Sequence, residues 1–216
     1  MEAHGYRITG DHYFFLNYYQ LPESQVEKTG QGRGKIYPAF LSKQYEYFHY
    51  IEICERTKHD VLAVKSRAVG FSEIAASLGV GLYSTRKNAH SVYTAFALPH
   101  LEDVLGKAWF QLDNLNADTE GGMRHVRQKY NSDLYKKASK VNKQREELPN
   151  SWGSDIEGRV IDKPRKLRGD RIDRLFFEEA GSNPVLKKTY IQGNALVEVM
   201  GNKIGTRFVW GTGGDG

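Results

Sequence analysis

Cysteine is nearly absent from this chain: Cys54 stands alone among 216 residues, so no disulfide can close within it. Its helical, aromatic neighbourhood predicts a buried thiol rather than a nucleophile. No apolar run approaches the ~18 residues that a membrane span needs, and the first residues form no apolar signal segment. The expectation is a soluble protein of the cytosol that is not secreted. Acidic pairs that end an apolar run are also scarce, with Glu178-Glu179 the one good example. A nuclease, whose metal carboxylates come from several strands, is therefore not expected from this stretch. What remains is a chain long enough to bury one good core, with room for a small subdomain. Its net charge of +5 suits a nucleic-acid partner without requiring one.

The most informative segment is Arg171 to Ala180, R-I-D-R-L-F-F-E-E-A. Leu175-Phe176-Phe177 has strand character, and Glu178 and Glu179 sit at its C-terminal end. Ending a buried strand in paired acids costs free energy unless a cation or a water uses them. In nucleotide hydrolases that arrangement holds magnesium and polarises the attacking water. The plain alternative is a core strand meeting solvent at two ordinary glutamates.

A second motif lies upstream, Val61 to Ser72, V-L-A-V-K-S-R-A-V-G-F-S. Val61 to Val64 predicts a buried parallel strand, Lys65 to Gly70 a basic turn, and the residues from Ser72 a helix with Ile74, Ala75, Leu78 and Leu82 as its apolar stripe. Strand, turn and helix N-terminus together bind phosphate, because free N–H groups and the helix dipole point at the anion. The length fits G-x-x-x-x-G-K-[ST], with Gly70 at the second glycine and Ser72 at the magnesium hydroxyl. Lys65 stands where the first glycine belongs and Phe71 where the lysine belongs. Either Lys65 and Arg67 supply the positive charge from the other side of the loop, or the loop is a relic. The first is preferred, since a relic has little reason to keep two cations between strand and helix. Ser66, Ala68 and Val69 complete the expected phosphate cradle.

Elsewhere the pattern is plainer. The aromatic cluster Tyr13 to Tyr19 predicts a strand packing on the domain, and residues 23 to 35 a linker. Ser42 is read as the N-cap of a helix that buries Tyr47, Tyr50, Ile51 and Cys54. Ser91 to Ala95 predicts a strand, and Pro99 to Leu115 a helix with Leu101, Val104, Leu105, Ala108 and Leu112 inward and Trp109 and Phe110 packing in the core. From Arg124 to Arg145 the charges crowd together; this is a solvated or disordered loop, or an insertion at about 120–150 that faces DNA or a neighbouring subunit. Arg168, Gly169 and Arg171 precede the acidic strand, with a salt bridge to Asp170 or Asp173 as the simpler reading and phosphate contact as the other. Gln192 to Val199 predicts a helix and Thr206 to Trp210 a strand.

The loop K-S-R-A-V-G-F-S, the stretch L-R-G-D-R-I-D-R-L-F-F-E-E-A (Leu167 to Ala180) and F-V-W-G-T-G-G (Phe208 to Gly214) resemble the ATPase region of phage terminase large subunits, the motors that package DNA into proheads. The resemblance runs from about Tyr37 to Gly214, with residues 1–35 outside as an N-terminal aromatic segment and linker. It implies a three-layer α/β fold of P-loop NTPase type, over residues 36–216, with a mainly parallel sheet flanked by helices. It implies ATP and Mg2+ as ligands. Lys65 or Arg67 would offset phosphate charge, Ser72 and Glu178 would hold magnesium, and Glu179 would activate water. Gln44 would read the adenine edge, although a solvated polar residue is an equal alternative. Thr212 and Gly213 would couple hydrolysis to movement. The implied partners are double-stranded DNA, the terminase small subunit, the portal protein and further copies of the chain in a ring, in the cytoplasm of an infected cell. The chain would be a fragment lacking later strands and a nuclease domain. Two other classes stay open: a helicase-like nucleic-acid ATPase, and a DNA-binding or scaffold module with a decayed nucleotide site. All of this requires the turn at Lys65 and the acids at Glu178 to lie side by side on neighbouring parallel strands.

Overall fold

The computed structural model describes residues 5, 7–22, 35–66, 70–115, 128–129, 135–137, 153–169 and 171–212. In chain order these form helix α1 (Gly10–Asn17), the short strands β1 (Leu21–Pro22) and β2 (Lys35–Ile36), α2 (Ser42–Arg56), β3 (Val61–Lys65), α3 (Phe71–Thr85), β4 (His90–Ala95), α4 (Leu98–Leu115), β5 (Gln128–Lys129), β6 (Tyr135–Lys137), β7 (Asp155–Val160), β8 (Arg174–Phe177), α5 (Leu186–Gln192), α6 (Asn194–Val197), β9 (Glu198–Val199), β10 (Asn202–Lys203) and β11 (Thr206–Thr212). One sheet runs in the order β3-β11-β8-β4-β7-β6-β5. Its first five strands are parallel, and β6 and β5 extend it as an antiparallel hairpin.

Strand periodicity sorts the core into two layers. On one face Tyr93, Phe176, Phe208 and Trp210 point under α1 to α4. On the other, Val92, Leu175, Phe177 and Val209 join Leu196 and Val197 of α6. The first layer is an aromatic ladder across β4, β8 and β11: Tyr93 stacks on Phe176 at 4.5 Å between centroids, and Phe176 lies 4.8 Å from Phe208 and 5.5 Å from Trp210. Helix α3 is buried on nearly every side, which its small residues Ala75, Ala76, Ser77 and Gly79 permit. The result is the predicted three-layer α/β architecture with a mainly parallel sheet.

Several local expectations change. The aromatic cluster at Tyr13 to Tyr19 falls mostly in helix α1 rather than a strand, because Thr9 caps it, accepting from His12 N at 3.2 Å, with Asp11 in the first turn. Phe14, Phe15 and Tyr19 still enter the main core. Strand β3 is not buried on both sides: it pairs only with β11 among the described residues, and Leu62 and Val64 are 66% and 81% exposed. Ser42 is the first helical residue of α2, with Leu41 at the cap, and Phe48 rather than Tyr50 faces inward. Trp109 and Phe110 are only partly buried. The basic run at 124–145 contributes strands β5 and β6 to the sheet edge, and its other residues lie outside the described ones. The helix expected over 192–199 is split: α5 ends at Gln192, α6 follows, and Glu198 begins the β9-β10 hairpin.

Arg174, at the start of β8, is buried and fully engaged. It bonds Asp11 at 2.7 and 3.1 Å, Glu55 at 2.8 and 2.9 Å and the carbonyl of Leu78 at 2.9 Å. Burial alone would discharge it, but the Asp11 and Glu55 carboxylates hold its pKa above the ordinary arginine value. The network ties α1, α2 and α3 to the sheet. Replacing Arg174 with Ala strands two carboxylates and is expected to cost about 3 kcal/mol, the lower end for a broken buried pair because both acids are part exposed. A denaturant midpoint equal to wild type would show that the network is not stabilising.

Candidate active site

The parallel order brings the C-terminal ends of β3, β11 and β8 to one edge. Lys65 ends β3 and registers with Thr212, which ends β11. Val209 of β11 registers with Phe177, the last residue of β8, so Glu178 and Glu179 emerge at the same edge. The expected adjacency is thus corrected in one respect: the loop strand and the acidic strand are not neighbours, because β11 lies between them. The side chains bridge that strand. Lys65 Nζ lies 2.9 Å from Glu179 Oε1, while the Thr212 N–H and hydroxyl donate to Glu179 Oε2 at 3.4 and 3.3 Å. Gly211 allows this closure, since a Cβ there would lie 2.7 Å from the backbone nitrogen of Gly181.

Gly70 precedes α3 with φ of 76°, a left-handed turn that glycine takes without penalty. The chain therefore turns into the helix, whose first N–H groups have no intrahelical acceptor. A cleft of about 350 Å³ opens there, lined by Lys65, Ser66, Gly70, Phe71, Ser72, Glu73 and Lys107. Gln44 stands beside this turn: a Cβ on Gly70 would come within 3.3 Å of its Nε2. Arg67, Ala68, Val69 and Gly213 lie outside the described residues.

Phe71, in the position of the missing lysine, packs inward. Its ring lies 4.5 Å from that of Tyr47 and meets Trp210 edge-on at 6.4 Å, extending the aromatic ladder to the mouth of the cleft. Around it, Gln44 Oε1, Tyr47 Oη and Glu178 Oε1 are buried without a hydrogen-bond partner among the described residues. Such atoms are rare in a settled core.

The two glutamates are electrostatically distinct. Burial pushes Glu178 up to about 7, although the Trp210 indole and the Lys65 ammonium pull the other way. Glu179 is also raised by burial, but its bonds to Lys65 and Thr212 outweigh this and hold it below the ordinary carboxylate value. Its backbone is left-handed, φ 44°, which a non-glycine residue adopts only when its surroundings enforce it. Glu178 is thus a buried acid with one unpartnered oxygen, and Glu179 is a charged, oriented carboxylate. An unpartnered carboxylate oxygen such as Glu178 Oε1 is the type of donor that an oxygen-seeking divalent cation takes.

Arg168, Gly169 and Arg171 sit at the opposite end of the sheet, before β8. Arg171 bonds the Glu198 carbonyl, while Asp173 pairs with Arg86 at 2.9 Å and accepts from His90 N at 2.8 Å. The phosphate role allowed for these arginines does not apply to this cleft. Sequence reasoning missed Trp210 and Lys107. Trp210 was legible, being two residues from both Phe208 and Thr212 on an alternating strand. Lys107 was not, because nothing in helix periodicity says where a polar face points.

A strand, a glycine turn and a helix, with an acid-ended parallel strand two places along the same sheet, define the α/β fold of P-loop type. No protein-family model and no curated protein matches the chain. Solved structures do. The large terminase of bacteriophage HK97 aligns at a TM-score of 0.62 and 10% identity, over 95% of this chain and 38% of that one. The Thermus phage P74-26 large terminase ATPase domain aligns at 0.47 and 17% identity, over 70% and 58%. A large terminase from a thermophilic bacteriophage, in complex with ADP, aligns at 0.48 and 12% identity, over 71% and 33%. The chain thus spans less than two thirds of each. At such identity the likeness is one of fold, shared with the HK97 large terminase.

Two expectations follow from this geometry. With a folded pKa near 7 against 4.5 unfolded, Glu178 stabilises the fold fully below about pH 4.5, and that contribution fades as pH rises through 7. Wild type should lose on the order of 3 kcal/mol more than Glu178→Gln between pH 5 and pH 8; parallel stability curves for the two proteins would refute the shift. Lys65→Ala should weaken ATP binding more than Phe71→Ala, measured by calorimetry, and the reverse order would mean the cation of the loop has been misassigned.

Proposed function

We propose that this chain is the ATPase motor domain of a viral DNA-packaging terminase large subunit, coupling ATP hydrolysis to translocation of double-stranded DNA into a prohead. The observation that carries the reading is the Lys65–Glu179–Thr212 junction, whose Lys65 also lines the phosphate-loop cleft. The shared fold with the HK97 large terminase supports it.

ATP binds with its phosphates over the N-terminus of α3, where N–H groups and helix dipole favour the anion. Gln44, beside Gly70, meets the adenine edge. Ser72 and Glu178 would hold magnesium, which would supply positive charge to offset that of the phosphates. Lys65 has two partners to choose between, Glu179 and phosphate. As the γ-phosphate draws its ammonium away, Glu179 is freed to orient the attacking water. The water oxygen bonds to the γ-phosphorus, the bond to the β,γ-bridging oxygen breaks, and Glu179 accepts the water proton. Thr212, bonded to Glu179, feels the exchange and carries it along β11 towards Gly213.

The wider assembly follows from the same reading: the small subunit, the portal protein and a homo-oligomeric ring, in the host cytoplasm, with basic residues of the 120–150 insertion contacting DNA phosphates. Glu179→Gln should bind ATP with near-normal affinity and hydrolyse it slower by ~100-fold or more. Turnover equal to wild type in a phosphate-release assay would remove Glu179 from the chemistry.

A further inference from the structure

On the reading that this cleft binds ATP, we propose that Lys107 of α4 is the phosphate-binding cation that stands in for the lysine absent at Phe71. The position in the loop cannot recover a cation, because the Phe71 ring is held between Tyr47 and Trp210. Among the described residues, the cleft has two cationic side chains on its walls, Lys65 and Lys107. Lys65 is bonded to Glu179, so part of its charge is spent on that carboxylate. Lys107 reaches the same cleft from α4, a helix packed along α3.

Its present partner is Asp103, one turn back on α4, whose carboxylate is largely exposed. An exposed pair at this spacing is worth well under 1 kcal/mol, so a phosphate can displace it at small cost. Burial raises the Glu73 carboxyl above its ordinary value, and the Lys107 ammonium is close enough to the first turn of α3 to pull it partly back. Glu73 in turn is tied back by the hydroxyl of Tyr19 at 2.6 Å, away from competition for the lysine. The charges that face Lys107 are therefore Asp103 and Glu73, and neither holds it as a buried, saturated ion pair. A lysine on a long flexible stem at the rim of an anion cradle can follow the phosphates as a point charge.

The test is calorimetry on the whole chain with Mg2+ and three probes: ATP, inorganic tripolyphosphate and adenosine. Lys107→Met keeps the apolar stem and removes the charge. It should weaken ATP and tripolyphosphate about tenfold, leave adenosine within twofold, and be largely rescued by Lys107→Arg. ATP affinity of Lys107→Met within twofold of wild type, or equal losses for adenosine and tripolyphosphate, would overturn the assignment while leaving the nucleotide site in place. Wild type that binds neither ATP nor tripolyphosphate would overturn the nucleotide site itself, and Lys107 with it.

Discussion

One ion pair organises the working end of this molecule. Lys65 and Glu179 belong to strands separated by a third, yet their side chains meet at 2.9 Å and enclose the end of β11 between them. The pair needs three parallel strands to finish level, an arrangement that the register of β3, β11 and β8 supplies. It also needs Glu179 in a left-handed backbone and no side chain at Gly211. Each of these is a local cost, on the order of 1 kcal/mol for the backbone. The ion pair and the two bonds from Thr212 offset it.

Strand β8 carries a second lesson at its two ends. Arg174 opens it and Glu178 follows it, and both are buried. The guanidinium is saturated by Asp11, Glu55 and the Leu78 carbonyl, which is how a buried charge becomes structural. The carboxylate keeps an unpartnered oxygen among Tyr47, Tyr93 and Trp210, and its pKa rises accordingly. The contrast is between a buried charge that is fully bonded and a buried acid with bonding capacity left over. The aromatic ladder joins the two roles. It supplies the dry interior that raises Glu178, and it ends at Phe71, which forfeits the loop lysine to pack there.

Much of this was legible in the chain. β3, α3, β4, α4, β8 and β11 all lie close to where apolar runs and helical spacing put them, because each buries a regular face and burial leaves a period. The elements that were misread have their shape imposed from outside. Helix α1 carries aromatics that suit a strand, but the Thr9 cap and the docking of Phe14 and Phe15 decide for a helix. Strand β6 exists by pairing onto β7 and β5 by pairing onto β6, and their charged sequence announces nothing. Arg168 and Arg171 looked close to the acids in the chain, yet a strand separates them, and a strand's length is enough to put them at the other end of the sheet.

The amino-acid sequence by itself determined which local features the chain carries: a basic glycine turn before a helix, paired acids after an apolar run, and a hydroxyl in a glycine-rich strand end. It could do so because backbone conformation and side-chain chemistry are local properties. Only the tertiary structure decided that β11 would lie between the two motif-bearing strands, that Glu179 rather than Glu178 would receive Lys65, and that Lys107 would reach the cleft from α4. Those outcomes depend on strand order, register and helix packing, which are set by the sum of many weak contacts across the core and leave no mark at any single position in the chain.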